Sequence, residues 1–306
     1  MDLESFLDRL NKLYRAGEQE KIEAFILGEI AQVLAGGGDE LWLCTLYNEL
    51  GGYYRGNSHY NDSLDAFDKA ASFLEACGLG QSAQAATVMI NRAGTCRLMG
   101  DSDTALDLYR RSGAILNANP DANRYQIASV YNNLSLSYIE NGRLDEALEE
   151  AQKGYEIVKT IPHSEHAQAT SLINLASVSL QAGDQEAAEV QMDQAMALFE
   201  IMPTPNIHYA AALNLLANIR ARRGDYDGAQ GALHEALEYT HHFFGENIEA
   251  ASTKQSLAFI CSAQGDSAGA CRWQQAALED MERLLDAEDA RTSAARKLLE
   301  QYQTQD

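Results

Sequence analysis

Positive charge is scarce in this chain: 23 Lys and Arg stand against 45 Asp and Glu in 306 residues, a formal net charge of -22. Such a polyanion opposes binding to phosphate backbones and anionic lipid surfaces, so neither nucleic acid nor membrane is expected as a partner. Long apolar runs are missing too, and nothing approaches the ~20 residues that span a bilayer. The first ten residues, MDLESFLDRL, carry acids where a secretory signal is basic, so a cytoplasmic location is expected. Cysteine is sparse and odd in number, five residues without a CxxC spacing, which fits a reducing compartment. Cys96 and Cys261 are expected in the core. Proline is nearly absent, and Pro120, Pro162, Pro203 and Pro205 all fall between candidate helices, where they interrupt none.

What the chain has instead is a period. In SVYNNLSLSYIENGRLDEALEEAQKGYEI, residues 129–157, two amphipathic helical patterns meet at Asn141 and Gly142. Equivalent marks fall at Gly17, Ser58, Gly100, Gly142, Gly183, Gly224 and Gly265, in steps of 41 or 42 residues, which defines a repeat array. Three rows of small residues accompany the marks. Seven before stand Gly51, Ala93, Ser135, Ala176, Ala217 and Ala258; five after stand Ser63, Ala105, Ala147, Ala188, Ala229 and Ala270. Twelve after come Ala70, Ser112, Gly154, Ala195, Ala236 and Ala277. Short side chains let two antiparallel helices cross closely, while larger neighbours such as Leu134, Leu175, Phe67 and Tyr109 fill the space around them. The mark glycine suits a left-handed helix end. The aspartates that follow it, Asp101, Asp184, Asp225 and Asp266, suit the cap of the next helix.

Leu50-Gly51, Tyr54, Ala66-Phe67 and Ala70, and again Leu134, Tyr138, Gly142 and Ala147, match the pattern of the tetratricopeptide repeat superfamily, which the chain resembles over nearly its whole length. The usual unit has 34 residues. The longer period here adds about a turn to each helix and resembles repeats of the kinesin light chain type, to whose inter-repeat segment HHFFGENIEAAS (241–252) is similar. The resemblance implies an all-α fold, a right-handed superhelical solenoid of seven antiparallel helix pairs plus a C-terminal capping helix. One domain is expected over 1–306: a divergent N-terminal pair at 1–35, six repeats at 41–286 and a cap at 290–303. Gly36, Gly37 and Gly38 mark the expected flexible joint between the first two of these.

No catalytic constellation emerges, so no enzyme, cofactor or metal is expected. His163 and His166 lie three apart but lack further convergent ligands, and the adjacent His241 and His242 point about 100° apart on a helix. No nucleophile elbow, phosphate-cradling loop or zinc-peptidase motif is present.

The informative surface is the side of each first helix turned away from its core. With core positions eleven, eight, seven and four before the mark, the helical advance puts positions thirteen, nine, six and two before it on the opposite side. Thr45, Thr87, Ser129, Thr170, Ala211 and Ser252 occupy the first of these rows; Glu49, Asn91, Asn133, Asn174, Leu215 and Ser256 the second. On the flank, ten before the mark, stand Asn48, Ile90, Asn132, Ile173, Asn214 and Gln255. Asparagine is a poor interior helix residue, so three in one register ask for a reason. Their amides could hold the backbone of an extended peptide, a use that the family resemblance also implies, or bond to one another between repeats. Arg55, Arg97 and Arg222 add positive charge beside them. The expected function is a non-catalytic scaffold or adaptor that receives a peptide segment in this groove, with Ile90, Ile173 and Leu136 as side-chain pockets. A peptide-responsive regulator and an enzyme accessory subunit are the alternatives, and the expected state is a monomer or weak homodimer.

Overall fold

The computed structural model describes residues 2–15, 19–57, 59–202, 207–245, 247–285 and 289–304. The marks Gly17 and Ser58 and the connection holding Pro203 and Pro205 lie outside them. Every element among the described residues is an α-helix. Two compact units can be distinguished, Met1–Arg143 and Leu144–Asp306.

The first unit holds α1 (Leu3–Arg15), α2 (Gln19–Ala35), α3 (Glu40–Gly56), α4 (Tyr60–Ala76), α5 (Ala83–Leu98), α6 (Ser102–Ala118) and α7 (Arg124–Glu140). The second holds α8 (Leu144–Lys159), α9 (Glu165–Gln181), α10 (Gln185–Glu200), α11 (Ile207–Arg222), α12 (Tyr226–Phe244), α13 (Ile248–Ala263), α14 (Ser267–Leu284) and α15 (Ala290–Gln303). Each helix packs on the next within its unit, and first helices of neighbouring repeats also touch: α3 with α5 and α5 with α7, then α9 with α11 and α11 with α13.

The turn chemistry explains the regularity. Gly100, Gly142, Gly183, Gly224 and Gly265 take φ of 82°, 70°, 86°, 81° and 82°. The N–H after each reaches back to a carbonyl five residues earlier, as in Asp101 to Cys96 at 2.9 Å and Asp225 to Arg220 at 3.0 Å, closing the helix with a Schellman turn. The same aspartates cap the following helix: Asp101 accepts from the Thr104 N–H, Asp184 from Ala187, Asp225 from Gly228 and Asp266 from Gly269, at 2.8–3.2 Å. One residue thus ends one helix and starts the next.

All three rows of small residues are buried. Cys96 and Cys261 are buried as well, 3% and 4% exposed. The N-terminal pair differs from a hinged appendage. Gly38 N–H donates to Val33 O at 3.0 Å and Gly37 has φ 86°, so the glycine run is a folded helix stop. Phe6, Ile22 and Ile26 share one core with Leu43 and Leu46, and the Phe6 ring meets Trp42 edge-on at 5.3 Å. The glycines supply left-handed backbone there, and apolar burial on both sides fixes the pair to α3.

Candidate functional site

The first helices are buried more widely than their leucine positions alone suggest. Besides the expected positions, the residues fourteen, twelve and five before the mark are buried in every repeat from α3 to α13, for example Ala169, Ser171 and Val178 on α9. Each first helix keeps only a narrow strip open. That strip is the one with residues thirteen, nine, six and two before the mark, which are half-buried or exposed throughout.

On this strip the polar side chains are partly occupied. In the first unit Asn91 donates through Nδ2 to Asn48 Oδ1 at 2.9 Å, tying α5 to α3. Asn133 Nδ2 turns back to Ser129 O at 2.9 Å, and Thr87 accepts from Gln126 Nε2 at 3.1 Å while donating to Ala83 O. In the second unit Asn214 donates to Ala210 O and to Thr253 Oγ1, both at 2.9 Å, and Thr170 donates to His166 O at 3.0 Å. Short hydroxyls and amides in helices reach the carbonyl one turn back whenever nothing better competes. The Asn48–Asn91 and Asn214–Thr253 bonds link neighbouring repeats. Each asparagine carries two N–H groups and a carbonyl, so these bonds use only part of its capacity. Asn132 and Asn174 are half-buried in the same rows, each within its own unit.

The strip opens into a cavity of about 640 Å³ in the second unit, between α11 and α13. Asn214, Leu215, Asn218, Ser252, Gln255 and Phe259 line it from three of the four outward rows and their flank, and Leu298 of α15 completes it. Phe259 is 60% exposed there, a large apolar ring left in water six residues before its mark. Phe259 belongs to the outward register but breaks its largely small, polar composition, which is the sequence signal that identifies it.

In the first unit the strip carries positive charge. Arg55 Nη1 donates to Asn91 O at 3.0 Å, and Arg97 pairs with Glu140. Burial depresses the Arg55 pKa, and the neighbouring Arg97 adds to the effect.

The histidines do not converge on a metal site: among the described residues no group of three or more His, Cys, Asp or Glu could hold an ion. His166 instead meets His208 edge-on at 5.3 Å. Burial lowers the His208 pKa below its ordinary value and His166 lowers it further. A histidine harder to protonate when folded binds more protons unfolded, so stability falls as pH drops through about 6.5 and below. Melting of the wild type between about pH 8 and pH 5 should show this loss, and His208→Asn should flatten it. An unchanged slope would remove His208 as its source.

Among the described residues no helix is long and apolar enough to cross a membrane. A sequence profile of the tetratricopeptide repeat matches residues 42–118 and 126–201, half of the chain. No curated protein matches. Among solved structures, the chain is similar to a Cut9–Hcn1 assembly of the APC/C, with a TM-score of 0.64 at 17% identity over 98% of this chain; it spans 49% of that longer chain. A Rap protein complexed with Competence and Sporulation Factor gives 0.63 at 13% identity, covering 98% of this chain and 97% of the other. A Podosopora anserina protein of kinesin light chain type, with nearly identical TPR-like repeats, gives 0.50 at 18% identity, covering 64% and 93%.

Proposed function

This chain belongs to the tetratricopeptide repeat family, and on that premise we propose that it is a non-catalytic scaffold that holds an extended segment of a partner protein against the open strip of its first helices. The observation that carries this reading is the cavity between α11 and α13, whose walls come from the outward rows and which leaves Phe259 unshielded. Its walls are mixed in the way a peptide requires: Leu215, Phe259 and Leu298 for an apolar side chain, Asn218 and Gln255 for backbone groups. Asn91, Asn133 and Asn174, with Asn132, Asn48, Thr87, Ser129 and Thr170 beside them, offer further amide and hydroxyl groups along the same rows. A cytoplasmic location and an uncharged or basic partner segment suit the acidity of the chain.

A second reading, a regulator that responds to a short peptide, draws support from the similarity to the Rap protein bound to its peptide factor. The two differ in whether the helices rearrange on binding. Peptides selected from a random library should bind the wild type and lose about thirtyfold or more in affinity on Phe259→Ala, since a central aromatic anchor contributes ~2 kcal/mol or more. Melting should hold, because an exposed ring adds little to the fold. Equal affinity for both proteins would remove the cavity from the binding surface.

A further inference from the structure

We propose that the exposed face of α12 binds a quaternary ammonium group, an organic cation of the choline type, between the rings of Tyr239 and Phe243 and the carboxylates of Glu235 and Glu238. The site lies on a second helix and draws on no residue of the strip, so failure of the peptide reading leaves it standing.

α12 spans 19 residues where α10 spans 16, and its last turn brings His242 and Phe243 onto the helix. Glu235, Tyr239 and Phe243 follow at intervals of four, with Glu238 and His242 beside them, which puts all five on one face. They line an open recess of about 860 Å³. The Tyr239 and Phe243 ring centroids are 4.8 Å apart with planes at 56°, and the His242 ring stands at 88° to that of Phe243. Phe243 is 46% exposed. From α11, the Tyr209 ring meets Tyr239 at 4.8 Å and its hydroxyl donates to Glu235 Oε1 at 2.6 Å, which fixes a carboxylate beside the rings. Burial, and then that hydrogen bond to Glu235, raise the Tyr209 pKa, so the phenol remains the donor.

The first unit shows what such rings take. Phe73 occupies the place of Tyr239, fifteen residues after the mark, and stacks on Tyr47 at 5.8 Å. Lys69, eleven after the mark, holds its Nζ 5.3 Å from the Tyr47 ring centroid, so there the chain supplies the cation itself. Arg111 and Lys153 keep a positive charge in that row, but in α12 the residue is Glu235. Tyr209 comes from one turn earlier in its helix than Tyr47; the aromatic contact is kept and the charge beside it is reversed. An aromatic ring and a nearby carboxylate both attract a cation, and the net charge of -22 concentrates cations around the chain. A quaternary ammonium fits better than lysine or arginine. It has no N–H to satisfy, and its rounded shape suits rings that meet at 56°. A planar guanidinium needs a bidentate acceptor, and Glu235 already accepts from Tyr209 through one oxygen.

The test titrates the full chain, isotope-labelled in its phenylalanine and tyrosine rings, with choline, acetyl-trimethyllysine-methylamide, methylguanidinium and dimethylbutanol, the neutral carbon isostere of choline. Saturable movement of the Phe243 ring signals, assigned by their loss in Phe243→Leu, is expected with choline, with the trimethyllysine probe or with both, and not with the isostere. The two ammonium arms tell a free small cation from a methylated side chain. Phe243→Leu, followed on Tyr239, and Glu235→Gln should each weaken binding by about two- to fivefold at unchanged melting temperature. Should Phe243→Leu lower the melting temperature, Glu235→Gln alone carries the comparison. An equal response to the isostere would mean an apolar recess only, and tighter binding of methylguanidinium an arginine acceptor. Either overturns the proposal, as does movement that neither substitution weakens, or no movement with either ammonium.

Discussion

Asp280→Ala should destabilise the second unit by ~3–5 kcal/mol, the cost of leaving a buried charge without its counter-ion. Eleven residues before the mark, the repeats carry Tyr47, Met89, Tyr131, Leu172 and Leu213, but α13 carries Lys254. Its Nζ lies 2.5 Å from Asp280 Oδ2 on α14, and Arg283 holds the other oxygen at 2.8 Å. The Lys254 and Asp280 side chains are only 13% and 10% exposed, so solvent screens the pair poorly. The pair does not have to be a source of stability, because its desolvation offsets much of its attraction. Lys254→Leu combined with Asp280→Leu should therefore recover most of the loss, to within about 1 kcal/mol of the wild type. Chemical denaturation of the two single variants and the double decides it. Additive losses in the double would mean that the surrounding space does not accept apolar side chains.

Gly51→Ala should also destabilise, although a helix interior normally gains about 1 kcal/mol from that change. A Cβ at Gly51 would stand 2.7–2.8 Å from three atoms of the Phe67 ring, and Phe67 is fully buried. Overpacking of this kind costs ~1–3 kcal/mol. The partner Ser63, whose hydroxyl donates to Gly51 O at 2.8 Å and meets Thr95 Oγ1 at 3.0 Å, would be strained by the same shift. Gly51→Ala with Phe67→Leu should melt above Gly51→Ala with Phe67→Trp. Stabilisation by Gly51→Ala alone would show that α3 and α4 do not approach as described.

These cases show what a repeat makes legible. The glycine marks, the small rows and the capping aspartates recur because one local mechanism is used again at each turn, and a mechanism used repeatedly can be read from spacing. The outward register was legible for the same reason: helix geometry places it once the core rows are known. The partners of its side chains were not. Whether Asn91 spends an N–H on Asn48, or Asn133 on its own helix, depends on the offset between neighbouring first helices, which the period does not encode. The buried row fourteen before the mark was hidden by its composition, since alanines such as Ala128 do not advertise a core, and in the rows twelve and five before it Thr253 and Ser137 interrupt the apolar residues. Phe259 escaped for the opposite reason, an apolar residue in a row that, Leu136 apart, is otherwise small or polar. The glycine run at 36–38 matched the composition of a joint, and only the shared core of Phe6, Ile26 and Leu46 identifies it as a helix stop.

The most direct test of the proposed peptide-binding strip is a titration of one library-selected peptide against three proteins: the wild type, a strip variant with Leu215→Ala and Phe259→Ala, and a control with Val190→Ala. Val190, 52% exposed on the second helix α10, lies away from the first-helix strip and matches the apolar character of the strip residues. The strip variant should lose about thirtyfold or more in affinity at unchanged melting temperature, while the control binds like the wild type. Undiminished binding by the strip variant, or a loss confined to Val190→Ala, would contradict the account and place recognition on the second helices.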